Sequence, residues 1–250
     1  MKRTLGHLGE IDPDNWREEP DFLLGPWWVG DFAPQLSTKD YGSNDFHGRF
    51  HPAIPWVAMK RFTKVGDTVW DCFAGSGTTM DVGIELDRFV IATDLHPAHP
   101  SVGKRDAAEW HPGTAVDLGI MHPPYMGIID YDCPMSRSKE VWQYGNCFDR
   151  CLYNMDLVLK PGRVLVLVIG EVWLDGELQP LEYELDALIR QHYHYRLIGR
   201  IAKDFGLQTE GGATTSPKSS NLWKYRLLKF GYFRYGIDTV LFYQKTGGES

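Results

Sequence analysis

The chain has 250 residues, 26 Lys and Arg against 33 Asp and Glu, a formal charge of -7, and 43% hydrophobic residues. That is material for one domain with an ample core, and no apolar run approaches the roughly 18 residues that would predict a membrane span. Net acidity argues against a uniformly basic nucleic-acid binder, but the charge is uneven. From Ala213 to Ile237 stand Lys218, Lys224, Arg226, Lys229 and Arg234 with no acid among them, enough to present one basic face to a phosphate backbone. Cys72, Cys133, Cys147 and Cys151 form no Cys-x-x-Cys pair, so buried thiols, no metal and reducing, cytoplasmic surroundings are the expectation.

Residues 1–45 are polar and irregular around Trp27-Trp28 and read as an N-terminal extension or flap, ahead of one domain over 46–250. A helix beginning near Pro55 would pack Trp56, Val57, Met59 and Phe62. The organising stretch runs from Asp67 to Asp94. Thr68 to Asp71 suits a buried strand, Cys72 to Gly77 a small-residue turn, Thr78 to Leu86 a helix, and Phe89 to Thr93 a second strand ending at Asp94. Strand, Gly-rich turn, helix and strand ending in an acid is how an α/β sheet builds an adenosine pocket. The turn is not Gly-x-Gly-x-x-Gly and lacks the Lys of a phosphate-binding loop, so the ligand carries no demanding polyphosphate.

Val116 to Met121 is the next predicted strand. It stops at His122-Pro-Pro-Tyr, because two prolines have no place inside a central strand. In an open α/β sheet that carboxyl end lines the ligand crevice. After the polar loop 126–140 come a helix from Glu140 to Leu159, closed by Lys160-Pro-Gly, and a buried strand from Arg163 to Gly170. A helix over Leu181–Tyr193 and a strand over Tyr195–Ile201 follow. Residues 204–237 form a long aperiodic excursion before a terminal strand over Thr239–Gln244. Such long connections usually carry function, which makes 126–140 and 204–237 the predicted target-recognition segments.

Phe73-Ala-Gly-Ser-Gly-Thr-Thr and His122-Pro-Pro-Tyr together resemble the S-adenosylmethionine-dependent DNA amino-methyltransferases, which act on adenine N6 or cytosine N4. The first matches the family's F-x-G-x-G cofactor loop. The second resembles its catalytic tetrapeptide, Asp, Asn or Ser followed by Pro-Pro and then Tyr or Phe. Phe50-His-Pro-Ala is similar to a further cofactor-side motif. The cofactor loop precedes the tetrapeptide, so the chain looks permuted relative to members with a similar loop. His122 departs from the family's first position.

The resemblance implies a doubly wound, Rossmann-like seven-stranded sheet ending in an antiparallel hairpin, with a long inserted target-recognition loop. It implies S-adenosylmethionine as cofactor, near Phe50, His51, Phe73, Ala74, Gly75, Ser76, Gly77 and Thr78. Asp94 would hold the ribose and Asp106 the adenine amine. Asp71 would hold the methionyl ammonium or brace its own loop. Its catalytic group would be His122, Pro123, Pro124 and Tyr125, with Lys218, Lys224, Arg226, Lys229 and Arg234 on the phosphates of double-stranded DNA. An RNA base methyltransferase would use the same pocket, and a non-catalytic cofactor-binding protein would need the cradle alone. Monomer and homodimer are both compatible with the sequence.

Overall fold

The computed structural model describes residues 8–15, 17–20, 23, 25–29, 33, 36, 40–43, 46, 48, 51–127, 129–170, 172–174, 176–179, 181–204, 229 and 237–247. Phe50, Lys218, Lys224, Arg226 and Arg234 lie outside them, as does nearly all of the excursion after Asp204.

The central sheet is built from β1 (Trp27–Val29), β2 (Thr68–Asp71), β3 (Phe89–Asp94), β4 (Gly103–Lys104), β5 (Val116–Met121), β6 (Leu159–Gly170), β9 (Tyr195–Asp204) and β10 (Ile237–Lys245). Strands β7 (Val172–Leu174) and β8 (Glu177–Gln179) make a separate antiparallel hairpin. The order across the sheet is β1-β9-β10-β6-β5-β2-β3-β4. Strands β4, β3, β2, β5 and β6 are parallel neighbours, and β10 runs antiparallel between β6 and β9. This is the doubly wound α/β sheet with a C-terminal hairpin that the family resemblance implies, with eight strands among the described residues rather than seven. Two strands have no counterpart among those predicted from the sequence: Gly103–Lys104, and Trp27–Val29, which falls in the expected extension or flap. The latter pairs parallel with β9 and buries Trp28 to 1% exposure while leaving Trp27 outside at 54%.

Helix α1 (Ala53–Phe62) and α2 (Thr78–Glu85) cover one face; α3 (Val141–Val158) and α4 (Leu181–His192) cover the other. The strands alternate accordingly. Val164, Val166 and Val168 of β6 pack with α1, whereas Leu165, Leu167 and Ile169 pack with Tyr144, Phe148, Leu152 and Met155 of α3. Both faces are therefore apolar, and the ligand edge is left at the strand ends. Helix α1 starts at Ala53, two residues before the predicted Pro55, because proline is tolerated within a first turn whose N–H groups lack helical partners. Lys160-Pro-Gly does not close α3. The chain passes directly into β6 at Leu159, with Gly162 absorbing the bend at φ 79°.

Candidate active site

The turn after β2 is shaped by two glycines in left-handed conformations, Gly75 at φ 34° and Gly77 at φ 85°, the latter capping α2. A Cβ on Gly75 would lie 2.4 Å from the Phe46 ring, and one on Gly77 would lie 2.5 Å from His99, so neighbouring rings pack where side chains would be. Asp94, at the end of β3, accepts hydrogen bonds from the Gly75 N–H at 2.9 Å and the His96 N–H at 2.7 Å. Burial raises its carboxyl pKa, and these two N–H groups pull it back.

Asp71 is fully buried. Its two oxygens accept from the Phe73 N–H at 3.0 Å and the Thr79 hydroxyl at 2.5 Å, so it braces the turn from behind. Burial pushes its carboxyl up to about 7, against those hydrogen bonds. Asp106 follows β4; its Oδ1 accepts from the Ala108 N–H at 2.9 Å, and Asn154 of α3 holds this segment by donating to the Ala107 carbonyl at 2.8 Å.

Strand β5 pairs directly with β2, so the tetrapeptide after Met121 emerges beside the glycine turn at the same edge. His122 Nε2 lies 3.3 Å from the Tyr125 hydroxyl, and the two rings meet edge to face at 5.6 Å and 76°. The hydroxyl donates to Asp238 Oδ1 at 2.7 Å. Burial and the charge of Lys203 lower the His122 pKa to about 4, leaving the imidazole neutral near neutral pH.

A cavity of about 450 Å³ is lined by both groups: Phe73, Ala74, Gly75, Ser76, Asp94 and Asp106 on one side, His122, Pro123, Pro124 and Tyr125 on the other. Asp71, His51, Gly77 and Thr78 do not line it. His51 instead accepts from the Ala53 N–H at 3.1 Å where α1 begins. Lys229 is exposed. The loop 126–140 contributes Ile129, Tyr131, Cys133, Pro134 and Met135 to the wall, and Tyr131 stacks on Phe46 at 6.0 Å and 28°. Sequence reasoning missed Asp238, Phe46 and Tyr131. A Cβ on Gly48 would lie 2.6 Å from the Tyr131 hydroxyl, so that glycine leaves room for the ring, a contact that only the fold brings about. The cavity suits an adenosine-and-amino-acid ligand: small residues along the turn, an acid at each of two neighbouring strand ends, and enough room. Among the described residues no group of three or more His, Cys, Asp or Glu could hold a metal, and no helix is long and apolar enough to cross a membrane.

The sheet order and the position of the cavity define an S-adenosylmethionine-dependent methyltransferase fold. Comparison with known proteins narrows the class. A family model described as DNA methylase matches residues 27–104, from β1 through β4 and ending before the tetrapeptide. The type II methyltransferase M.BglI of Bacillus subtilis is 28% identical over 87 residues, which are 35% of this chain and 23% of that protein. The chain is thus similar to the DNA N4/N6 amino-methyltransferases, and the family-model match lies on the cofactor side. A Pyrococcus horikoshii structure described as a candidate RNA methyltransferase aligns with TM-score 0.51 at 12% identity, covering 86% of this chain and 97% of that one. TrmN from Thermus thermophilus aligns with TM-score 0.47 at 14% identity, over 80% of this chain and half of that one. The match to M.BglI spans less than a quarter of that methyltransferase.

Proposed function

We propose that this protein transfers a methyl group from S-adenosylmethionine to the exocyclic amine of adenine (N6) or cytosine (N4) in double-stranded DNA, with the base turned out of the duplex into the cavity. The observation that carries this reading is the opening of the Gly75–Asp94 cradle and His122-Pro-Pro-Tyr into one cavity at adjacent strand ends. When bound, S-adenosylmethionine supplies an electrophilic methyl group on a positively charged sulfur. Asp94 and Asp106 are acceptors for the hydroxyls and amine of the adenosyl part, and the Ala74–Gly77 turn allows close approach of the rest.

An exocyclic amine is a poor nucleophile because its lone pair is delocalised into the ring. Neutral His122 and the Pro123 carbonyl accept its N–H bonds and turn the lone pair outward, while the rigid Pro-Pro pair holds both acceptors still. The N–C bond forms as the S–C bond breaks, the S–C electron pair stays on sulfur as a neutral thioether, and one amine proton passes to solvent. Tyr125 stacks on the extruded base, since chemistry on a base within a duplex requires it to leave the stack. Lys218, Lys224, Arg226, Lys229 and Arg234 supply phosphate contacts in this reading.

The test is incorporation of labelled methyl into unmethylated duplex DNA of varied sequence, with RNA as a parallel substrate. Labelled DNA supports the reading. Label in RNA alone would move the substrate to RNA, and cofactor binding with neither substrate labelled would end the enzymatic reading.

A further inference from the structure

The geometry points to Asp238 as the positioning residue for Tyr125 and His122, an inference that rests on the base-methylation reading above. Strand β10 runs antiparallel to its neighbour β6, so its first residues, not its last, reach the ligand edge. In register across four strands lie Trp28 of β1, Lys203 of β9, Asp238 of β10 and Gly170 of β6, each directly opposite the next. Opposite residues on adjacent strands share a face, so Lys203 stands beside Asp238, and both are nearly buried at 6% and 7% exposure. Burial raises the Asp238 carboxyl; Lys203 and the Tyr125 hydroxyl lower it. The same Lys203 charge disfavours a proton on His122. One buried cation thus favours an ionised acid and a neutral imidazole together.

Asp238 and Gly170 fix the Tyr125 ring from two directions. The hydroxyl is tied to Asp238 Oδ1, and a Cβ on Gly170 would lie 3.0 Å from both that oxygen and Tyr125 Cε2, so glycine lets the ring lie against β6. A phenol has one proton. With that proton given to Asp238, the Tyr125 oxygen meets His122 Nε2 as an acceptor, which places the imidazole proton on Nε2 and the lone pair on Nδ1. Asp238 therefore selects the His122 tautomer through Tyr125, in the way a buried acid orients a catalytic histidine. The family pattern admits Phe at the last tetrapeptide position; here the hydroxyl has a task.

The test uses nitrogen-15 NMR of histidine-labelled full-length protein, with the His122 signals assigned by their loss in His122→Asn, alongside steady-state methylation. Wild type should carry the Nε2–H tautomer at neutral pH. Asp238→Asn, whose amide can donate to the phenol oxygen, and Tyr125→Phe, which keeps the ring, should both shift that tautomer. Asp238→Asn should lower kcat by about 10²-fold or more, with KM for DNA and cofactor affinity within about twofold. An unchanged tautomer and kcat in both variants would overturn the inference, as would an equal loss of cofactor affinity, which marks a merely structural role. A tautomer that shifts in both variants, while the wild type methylates no nucleic acid, would uphold the arrangement and end the base-methylation reading instead.

Discussion

On the cofactor side of the cavity, the hydrogen bond that closes the cradle joins Gly75 to Asp94 across 19 positions of sequence. On the acceptor side, the bond that anchors the tetrapeptide joins Tyr125 to Asp238 across 113. The first wall is one contiguous strand-turn-helix-strand unit whose polar groups satisfy one another: Asp94 takes the turn's N–H, and Asp71 braces the turn from below. The second is a meeting of β5, β6, β9 and β10, complete only when the hairpin has returned from the excursion after Asp204. In the proposed reaction, binding of the donor and presentation of the acceptor fall to separable parts of the chain, and substitutions should divide accordingly.

The largest separation is expected from Tyr125→Ala. It removes a stacking surface worth about 1–3 kcal/mol and leaves Asp238 without its donor, so turnover should fall by about 10²-fold or more. Cofactor affinity by calorimetry should stay near wild type; an equal loss would join the two walls into one unit. Asp94→Ala should do the reverse. Removing the acceptor of two N–H groups and of the proposed ribose contact should weaken cofactor binding about 10- to 100-fold, and an unchanged calorimetric affinity would break the assignment.

Asp71 gives a smaller effect, in stability rather than binding. Its folded pKa is raised to about 7, so its contribution is greatest below the ordinary carboxylate pKa and is lost as pH rises through about 7. Between pH 6 and 8 wild type should lose roughly 1 kcal/mol of unfolding free energy from this group, and Asp71→Asn should flatten that slope in urea titrations. The smallest effect belongs to Lys229, an exposed residue that falls between β9 and β10 in sequence. Lys229→Gln should reduce the salt dependence of DNA binding by about one unit of slope and leave cofactor affinity alone.

The same contrast governs what could be read in the sequence. The cradle was legible because its parts are consecutive and each has a local signature: apolar strands, positive-φ glycines, an acid at a strand end. His122-Pro-Pro-Tyr was legible because two prolines stop a buried strand where ligands bind. Asp238 was not. It is a single acid after a long aperiodic stretch, and only the antiparallel return of β10 beside β6 gives it meaning. Trp27–Val29 and Gly103–Lys104 are too short to show alternation, so their places at the two sheet edges follow from pairing rather than pattern. Pro161 and Gly162 carried a turn signal, yet tertiary pairing of Leu159 with Val116 draws that segment into β6. Lys203 has no local signature; β1 and Asp238 on its two sides bury it.

The most direct measurement is mass identification of the nucleosides released from duplex DNA after incubation with the protein and S-adenosylmethionine. The account predicts a nucleoside methylated on its exocyclic nitrogen, N6 of adenine or N4 of cytosine. A methyl group on a ring carbon, or none in DNA while the cofactor binds, would contradict it.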